Sequence, residues 1–310
     1  MKKAKIYVAG HTGLIGSAIV RKLLEKDYRN IITINKKDLD LRNQTATYQF
    51  LKKKKPDYII LAAAKVGGIF ANNKYRAEFI YDNLEIQNNI IHGSYINKIN
   101  NLIFLGSSCI YPKDSRQPIK ESYLLNGKLE NTNEPYAIAK IAGIKMSESY
   151  NFQYGTNYKC LMPANSYGIN DNFDLNTSHF FPALIRKVHE AKKNGKQSIA
   201  LWGSGRAKRE LIFSEDVADA CIFFMKKRTK QALINIGTGE DFSIKYYANF
   251  LIKNLNCNIK KINFDMSKPD GTIRKLLDVS LANSYGWKST TSLREGFLKT
   301  YDHFLNTEFA

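Results

Sequence analysis

Gly10-His11-Thr12-Gly13-Leu14-Ile15-Gly16 is the stretch that decides the fold of this chain. It follows a short apolar segment, Lys5 to Ala9, and opens an amphipathic one, Leu14 to Glu25. Glycines at a strand–helix junction let the backbone approach a pyrophosphate, and the free N–H groups of the helix N-terminus favour negative charge. The stretch therefore predicts a strand, a dinucleotide-binding loop and a helix. The candidate loop contacts are Gly10, Thr12, Gly13, Leu14, Ile15 and Gly16.

Short apolar segments and longer helical ones alternate through the first half of the chain. This alternation predicts an α/β protein with a Rossmann-type, doubly wound parallel sheet. The predicted strands are Lys5–Ala9, Ile31–Ile34, Tyr58–Ala62, Leu102–Leu105 and Tyr158–Met162, and the predicted helices include Gln44–Lys54 and Arg76–Lys98.

After Pro163 the alternation loosens, which predicts a smaller C-terminal α/β lobe that binds the substrate. Leu233–Ile236 again has the character of a strand and could rejoin the main sheet. We expect the dinucleotide-binding domain at residues 1–165 plus roughly 211–242. The substrate lobe would then comprise roughly residues 166–210 and 243–310.

The net charge, the lengths of the apolar runs and the cysteine spacing exclude several classes of protein. The 310 residues carry a formal net charge of +19, but the lysines are scattered and cluster mainly at positions 52–55, where they end a predicted helix. A solvated surface and an anionic nucleotide ligand explain this charge better than nucleic-acid binding does. No apolar run is long enough for a membrane span or a signal peptide, so we expect a cytoplasmic protein without a membrane partner. The four widely spaced cysteines predict neither disulfides nor a metal site.

The end of the second predicted strand bears on the choice of cofactor. NAD sites usually place a carboxylate there to hold the ribose 2′-hydroxyl, and NADP sites place cations. This chain has Asn35-Lys36-Lys37, which favours NADPH (NADP+), with Lys36 as the candidate contact. The alternative is that these lysines belong to the general surface excess. Asp40 and Leu41 follow, and could cradle the adenine.

Three residues together suggest a ketone reductase. Tyr136 and Lys140 are four residues apart on a predicted helix, so an ammonium can stand beside a phenol and lower its pKa. Ser107 follows the strand Leu102–Leu105 at its carboxyl end, where open α/β sheets bind ligands. Its hydroxyl could bond a substrate carbonyl while Tyr136 protonates the developing alkoxide.

The Ser107, Tyr136 and Lys140 set behind an N-terminal glycine loop resembles the extended short-chain dehydrogenase/reductase family over nearly the whole chain. Several ungapped segments resemble the GDP-L-fucose synthase family in particular. They are His11, Ala62–Gly68, Gly106–Pro112, Asn133–Gly143, Trp202–Gly205 and Ser267–Gly271. The resemblance implies 3,5-epimerisation of a GDP-linked 4-keto-6-deoxy sugar, followed by NADPH-dependent reduction at C4. It also implies a homodimer formed through two long helices per subunit, here Arg76–Lys98 and the helix of Tyr136.

The resemblance assigns the epimerisation to Cys109 as base and His179 as acid, with Tyr136 stabilising the enolate. A ketone at C4 acidifies the hydrogens on C3 and C5, so one base–acid pair could invert both centres. Considered without the resemblance, each of these two residues would be structural.

Further contacts follow from the same resemblance. Arg209 would bind the diphosphate, because its planar guanidinium can donate two hydrogen bonds to anionic oxygens. The remaining candidates for the substrate are Ser108, Asn165, Lys187, Trp202 and Asp270, and those for the cofactor are Ala62, Ala63, Ala64, Lys140, Pro163 and Asn165.

Departures from the family pattern leave alternatives open. Thr12 and Lys36 stand where arginine is usual, so we expect weaker NADPH binding or a relaxed preference for NADPH over NADH. Lys187 also stands where arginine is usual. The loop at residues 171–177 also differs, which leaves a GDP-4-keto-6-deoxy-heptose as the alternative substrate. A C4 reductase without epimerisation is a second alternative. A nucleotide-binding sensor or an RNA-binding protein on a dehydrogenase scaffold is the remote one.

Overall fold

The computed structural model describes residues 2–267 and 271–310. Within them, six parallel strands form the main sheet in the order β2-β1-β3-β4-β5-β9. The order turns back at β1, as in doubly wound folds, so the predicted fold class is confirmed. These strands are β1 (Ile6–Ala9), β2 (Ile31–Ile32), β3 (Tyr58–Leu61), β4 (Asn101–Leu105), β5 (Asn157–Pro163) and β9 (Leu233–Ile236).

Two layers of helices cover this sheet. On one side α1 and α7 pack against each other, and on the other α4 packs between α2 and α5. The strands are almost wholly buried, as sheets covered on both faces require. The helices of these layers are α1 (Leu14–Glu25), α2 (Gln44–Lys54), α4 (Arg76–Ile96), α5 (Glu134–Tyr154) and α7 (Ser214–Lys226).

Small residues bring α5 close to the sheet. A Cβ on Gly143 would lie 2.7 Å from Cζ of Phe104 on β4, so glycine permits this approach. The Gln87 amide on α4 donates to the carbonyl of Ala139 on α5 at 2.6 Å, which fixes the two helices relative to each other. This packing sets the height of Tyr136 and Lys140 above the sheet.

The C-terminal half adds smaller sheets and a second hydrophobic core. β8 pairs with β6, β10 and β12, and β7 pairs with β11. Aromatic side chains such as Tyr167, Phe181 and Phe297 fill the second core. The additional strands are β6 (Asn165–Tyr167), β7 (Ser198–Trp202), β8 (Lys208–Phe213), β10 (Asp241–Ser243), β11 (Lys261–Asp265) and β12 (Arg274–Lys275). The additional helices are α3 (Ile69–Lys74), α6 (Phe180–Lys193), α8 (Ile244–Asn254), α9 (Ser280–Ser284) and α10 (Leu293–Phe304).

The structure adds detail to the predicted elements. β2 has two residues instead of four, and the short helix α3 was not predicted. Leu277, Ala282 and Trp287 belong to the first core although they were placed in the second lobe, so the division into two lobes stays a prediction. No helix in the described ranges is long and apolar enough to cross a membrane.

Candidate active site

A cleft of about 520 Å³ opens at the carboxyl edge of the main sheet. It is lined by residues that end or follow β1, β3, β4 and β5, which is where open α/β sheets bind ligands. The predicted site residues in its wall are Gly10, Thr12, Gly13, Leu14, Ile15, Gly16, Lys36, Asp40, Leu41, Ala62, Ala63, Ala64, Ser107, Ser108, Tyr136, Pro163, Asn165 and His179.

The other predicted residues lie beside the cleft or outside the described chain. Cys109 and Lys140 are buried next to it, and Asp270 falls outside the described residues. Lys187, Trp202 and Arg209 lie in the C-terminal half, on α6, β7 and β8.

The glycine loop is shaped by close backbone approaches. Gly10 has φ +85°, in the left-handed region, and a Cβ there would lie 2.6 Å from the nitrogen of Ala63. A Cβ on Gly16 would lie 1.9 Å from the Gly10 carbonyl oxygen. The first turn of α1 carries no acidic residue and no side-chain cap, so its N–H groups are available to an anion. The loop therefore forms a cradle that suits a pyrophosphate.

Charged side chains line the cleft beyond β2. The Arg42 guanidinium bonds Asp40 at 2.6 Å and Asp82 at 2.9 Å. This contact holds the pKa of Asp40 below its usual value, so the carboxylate stays charged. Lys65 pairs with Glu78 and lies 3.5 Å from Asp82, which completes a chain of alternating charges. Sequence reasoning missed Arg42, because its partner Asp82 is forty residues away on α4.

Ser107, Tyr136 and Lys140 meet at the end of β4. The Lys140 ammonium donates to the carbonyl of Leu105 at 2.9 Å and lies 5.7 Å from the centre of the Tyr136 ring. It also lies 4.7 Å from the ring centre of Phe104. Lys140 is 3% exposed, and burial lowers its pKa to about 8.

The expected lowering of the Tyr136 pKa is not found in this structure. Burial raises the pKa of the Tyr136 phenol, and the nearby Cys109 adds to the rise. The physical reason is that the protein removes water from the phenol while the ammonium of Lys140 bonds Leu105 instead. Tyr136 is therefore a protonated phenol at neutral pH, the form that can donate a proton.

Cys109 lies directly behind Ser107. Its backbone N–H donates to the Ser107 hydroxyl at 3.4 Å, and the residue is 6% exposed. Burial raises the pKa of the Cys109 thiol, and the charges of Lys275 and Lys140 act against this rise. Lys275 was missed by sequence reasoning, since only the pairing of β12 with β8 brings it to this place.

His179 is the last residue before α6 and lies in the cleft wall with Ser107 and Tyr136. It keeps solvent-exposed surface, yet the surrounding protein atoms lower the pKa of its imidazole by desolvation. The ring is thus biased towards the neutral form, in which one nitrogen donates and the other accepts.

Further cationic side chains lie on elements of the C-terminal half. The Lys187 ammonium lies 5.9 Å from the centre of the Trp202 ring. Arg209 donates to the carbonyl of Thr272 at 2.6 Å, and Lys275 is its partner in the register of β8 and β12. Asn165 lines the cleft and donates to the backbone of Glu210, the residue after Arg209. This region offers a cationic surface to an anionic ligand.

Comparison with known proteins gives a consistent result. The model of the NAD-dependent epimerase/dehydratase family matches residues 6–237. GDP-L-fucose synthase 1 of Arabidopsis thaliana is 50% identical over 98% of this chain and 94% of its own. GDP-L-fucose synthase of Escherichia coli K12 is 46% identical over 99% and 98%. The structure of a GDP-mannoheptose C4 reductase of Campylobacter jejuni with NADP bound is similar at a TM-score of 0.91, with 38% identity and 99% of each chain covered.

Proposed function

The chain belongs to the NAD-dependent epimerase/dehydratase family, as the sequence resemblance predicted, and we propose that it is a bifunctional 3,5-epimerase and NADPH-dependent 4-ketoreductase. Its substrate would be a GDP-linked 4-keto-6-deoxy sugar, as for a GDP-L-fucose synthase. One observation carries the proposal. Ser107, Tyr136 and His179 line the same cleft as the glycine loop, and Cys109 lies directly behind Ser107.

The residues present fit a bound NADPH. The Gly10–Gly16 loop is a cradle that side chains would fill, and its helix N-terminus would hold the pyrophosphate. Lys36 would face the adenosine phosphate, and Asp40 and Leu41 the adenine. Ala62–Ala64, Pro163 and Asn165 would complete the wall. When bound, the nicotinamide supplies the hydride that is delivered to C4.

For reduction, the protein supplies a proton and an oriented carbonyl. Ser107 would hydrogen-bond the C4 oxygen, and the Tyr136 phenol would give its proton to that oxygen as negative charge develops. The positive charge of Lys140, 5.7 Å from the Tyr136 ring, would favour the phenolate left behind and would hold the nicotinamide ribose.

For epimerisation, the C4 ketone acidifies the hydrogens on C3 and C5. The Cys109 thiolate would remove a proton from one face, and Tyr136 would stabilise the resulting enolate. The imidazolium form of His179 would return a proton to the opposite face, which inverts the centre and leaves a neutral imidazole and a Cys109 thiol. The charge of Lys275 favours the thiolate against its burial, so we include it in the epimerisation site.

The nucleotide half of the substrate would lie on the cationic surface of the C-terminal half. Arg209 and Lys187 would meet the diphosphate, and Trp202 and Asp270 the nucleoside. Ser108 and Asn165 would contact the sugar. The predicted division into an NADP-binding domain and a GDP-sugar-binding lobe is part of this proposal.

A second candidate is C4 reduction of a GDP-linked heptose without epimerisation. The observation in its favour is the structural similarity to a GDP-mannoheptose C4 reductase. The presence of both Cys109 and His179 at the cleft speaks for the bifunctional enzyme, because reduction alone needs neither.

An isotope experiment separates these candidates. The enzyme is incubated in deuterated water with NADPH and GDP-4-keto-6-deoxy-mannose, and the product is examined by NMR. We expect deuterium at C3 and C5, and product without deuterium at either position would overturn the epimerase. Cys109→Ser should abolish incorporation while some NADPH oxidation remains. A parallel assay with a GDP-4-keto-6-deoxy-heptose compares kcat/KM between the sugars.

We also propose a cytoplasmic homodimer that binds neither nucleic acid nor membrane. The dimer would form through α4 and α5, which expose Tyr81 and Ile138. The RNA-binding alternative is tested by filter binding at about 150 mM salt, where length-dependent retention of RNA would contradict this proposal.

A further inference from the structure

The loop after β3 connects two parts of the cleft. Its beginning, Ala62–Ala64, lines the wall of the cleft, and its end reaches the segment that leads into α6. The N–H of Gly68 donates to the carbonyl of Thr177 at 2.9 Å. Because Thr177 is two residues before His179, this bond fixes the backbone from which the candidate acid projects.

The contact is so close that a side chain at position 68 does not fit. A Cβ on Gly68 would lie 2.6 Å from the carbonyl oxygen of Ser178 and 3.5 Å from that of Thr177. The φ of Gly68 is −67°, which any residue adopts, so space alone requires glycine here. The backbone of the His179 segment is thus packed directly on Gly68.

Asn72 holds this turn from behind. Its side-chain nitrogen donates to the carbonyl of Gly67 at 2.6 Å and to that of Gly68 at 3.1 Å. Asn72 is 6% exposed, and its side-chain oxygen has no hydrogen-bond partner in the described part of the chain. Both side-chain hydrogen bonds of Asn72 are therefore made to the Gly67–Gly68 turn.

The segment of residues 174–178, on the other side of the contact, is also held by hydrogen bonds. The Asp174 carboxylate accepts bonds from the backbone N–H groups of Asn176 and Thr177, at 3.0 Å each. The N–H of Ser178 donates to the Asp174 carbonyl at 2.9 Å. A displacement at Ser178 would therefore be passed on to His179 instead of being absorbed by a loose loop.

We propose that the Gly67–Gly68 turn, held by Asn72, is the element that positions His179 for proton return during epimerisation. The proposal rests on the proposed function and adds Gly68 and Asn72 as positioning residues. Proton transfer is sensitive to displacements well below 1 Å, so a turn that moves Ser178 slows this step while hydride transfer, which does not use His179, continues.

The experiment uses Gly68→Ala and measures deuterium incorporated per NADPH oxidised in deuterated water. We expect this ratio to fall about fivefold or more, with product in which one centre is not inverted. A general loss of folded enzyme lowers both quantities equally and leaves the ratio unchanged, so the ratio separates positioning from structural damage. Asn72→Asp, which replaces the donor by an acceptor of the same size, should lower the ratio in the same direction.

The control is Gly155→Ala at the end of α5, where an added Cβ meets no atom within 4 Å but the left-handed φ of +66° strains any side chain. This variant lowers stability at a place that does not contact the His179 segment. Its ratio should equal that of the unmodified enzyme. A normal ratio in both Gly68→Ala and Asn72→Asp would overturn the proposal. Absence of deuterium from the product of the unmodified enzyme would instead refute the proposed function, so the two failures are distinguishable.

Discussion

At the scale of single residues, the buried ammonium of Lys140 makes the reduction pH-dependent. Burial lowers the pKa of Lys140 to about 8, so its charge is present below this pH and is lost as the pH rises through it. Because in the proposed mechanism that charge would favour the Tyr136 phenolate and hold the ribose, kcat/KM for NADPH should fall above about pH 8. Lys140→Arg keeps its charge over the whole range. In its pH profile, the limb near pH 8 should be absent, and an unchanged limb would assign the titration to another group.

Lys275 permits a second prediction at this scale. Its charge lowers the pKa of the Cys109 thiol, so Lys275→Met should reduce the fraction of thiolate at neutral pH. We expect deuterium exchange at C3 and C5, measured with NADP+ in place of NADPH, to slow by about tenfold and its pH profile to shift upward. Lys275→Arg should retain exchange. A slower rate with an unshifted profile would mean that Lys275 acts on substrate binding alone.

The sequence could predict Tyr136 and Lys140, because both lie on one helix and their spacing is local. It could not predict Lys275 or Arg42 as parts of the site. Lys275 comes near Cys109 through strand pairing across the C-terminal half, and Arg42 is fixed by Asp82 on another element. Nor could it predict the raised pKa of Tyr136, since burial is a property of the folded chain.

At the scale of elements, two glycines of the loop should differ in their roles. Gly16 is needed for the stability of the fold and for cofactor binding, whereas Gly13 is needed for cofactor binding alone. A Cβ on Gly16 would meet the backbone of Gly10 at 1.9 Å, whereas on Gly13 its nearest contact would be 3.6 Å away. Gly13→Ala should therefore leave the melting temperature of the free protein within about 1 °C. It should still weaken NADPH binding roughly tenfold, because the added methyl stands at the N-terminus of α1 where the pyrophosphate must approach.

Gly16→Ala is the matched variant for that experiment. It should lower the melting temperature by several degrees, since a displaced loop costs on the order of 2 kcal/mol, and should weaken binding as well. Calorimetry of the free protein and titration of nucleotide fluorescence measure the two effects separately. Equal behaviour of Gly13→Ala and Gly16→Ala in both measurements would contradict the argument.

The main elements could be predicted because their signals lie within a few neighbouring residues. Buried strands such as β3 and β4 appear as continuous apolar runs in the sequence. The glycine loop that begins at Gly10 indicates the strand before it and the helix after it. The short helix α3 escaped prediction because it has no capping side chain and only six residues. The role of the Asn72 side chain on this helix depends on its hydrogen bonds to the Gly67–Gly68 turn, which are a property of the folded chain.

At the scale of the whole molecule, the two helix layers differ in what they expose. α4 and α5 pack side by side and present Tyr81 and Ile138, which are 61% and 43% exposed. Aromatic and aliphatic side chains of this kind favour an interface over an open surface. On the opposite layer, α1 presents Leu24 at 45% exposure. α4 and α5 also expose Ile96 and Phe152, whereas Leu24 is the one large apolar side chain that the described α1 and α7 expose. This difference between the layers supports the proposal that the dimer implied by the sequence resemblance forms through α4 and α5.

The dimer is tested by introducing charge on each layer in turn. The unmodified chain of 35.4 kDa should sediment at twice that mass. The double variant Tyr81→Glu and Ile138→Glu should shift it to the monomer mass, because burying two carboxylates without partners costs more than the contact returns. Leu24→Glu adds one carboxylate, half the charge of the double variant, at a similarly exposed position on the other side of the sheet, and should leave the dimer intact. Dissociation by Leu24→Glu but not by the double variant would move the interface to the layer of α1 and α7.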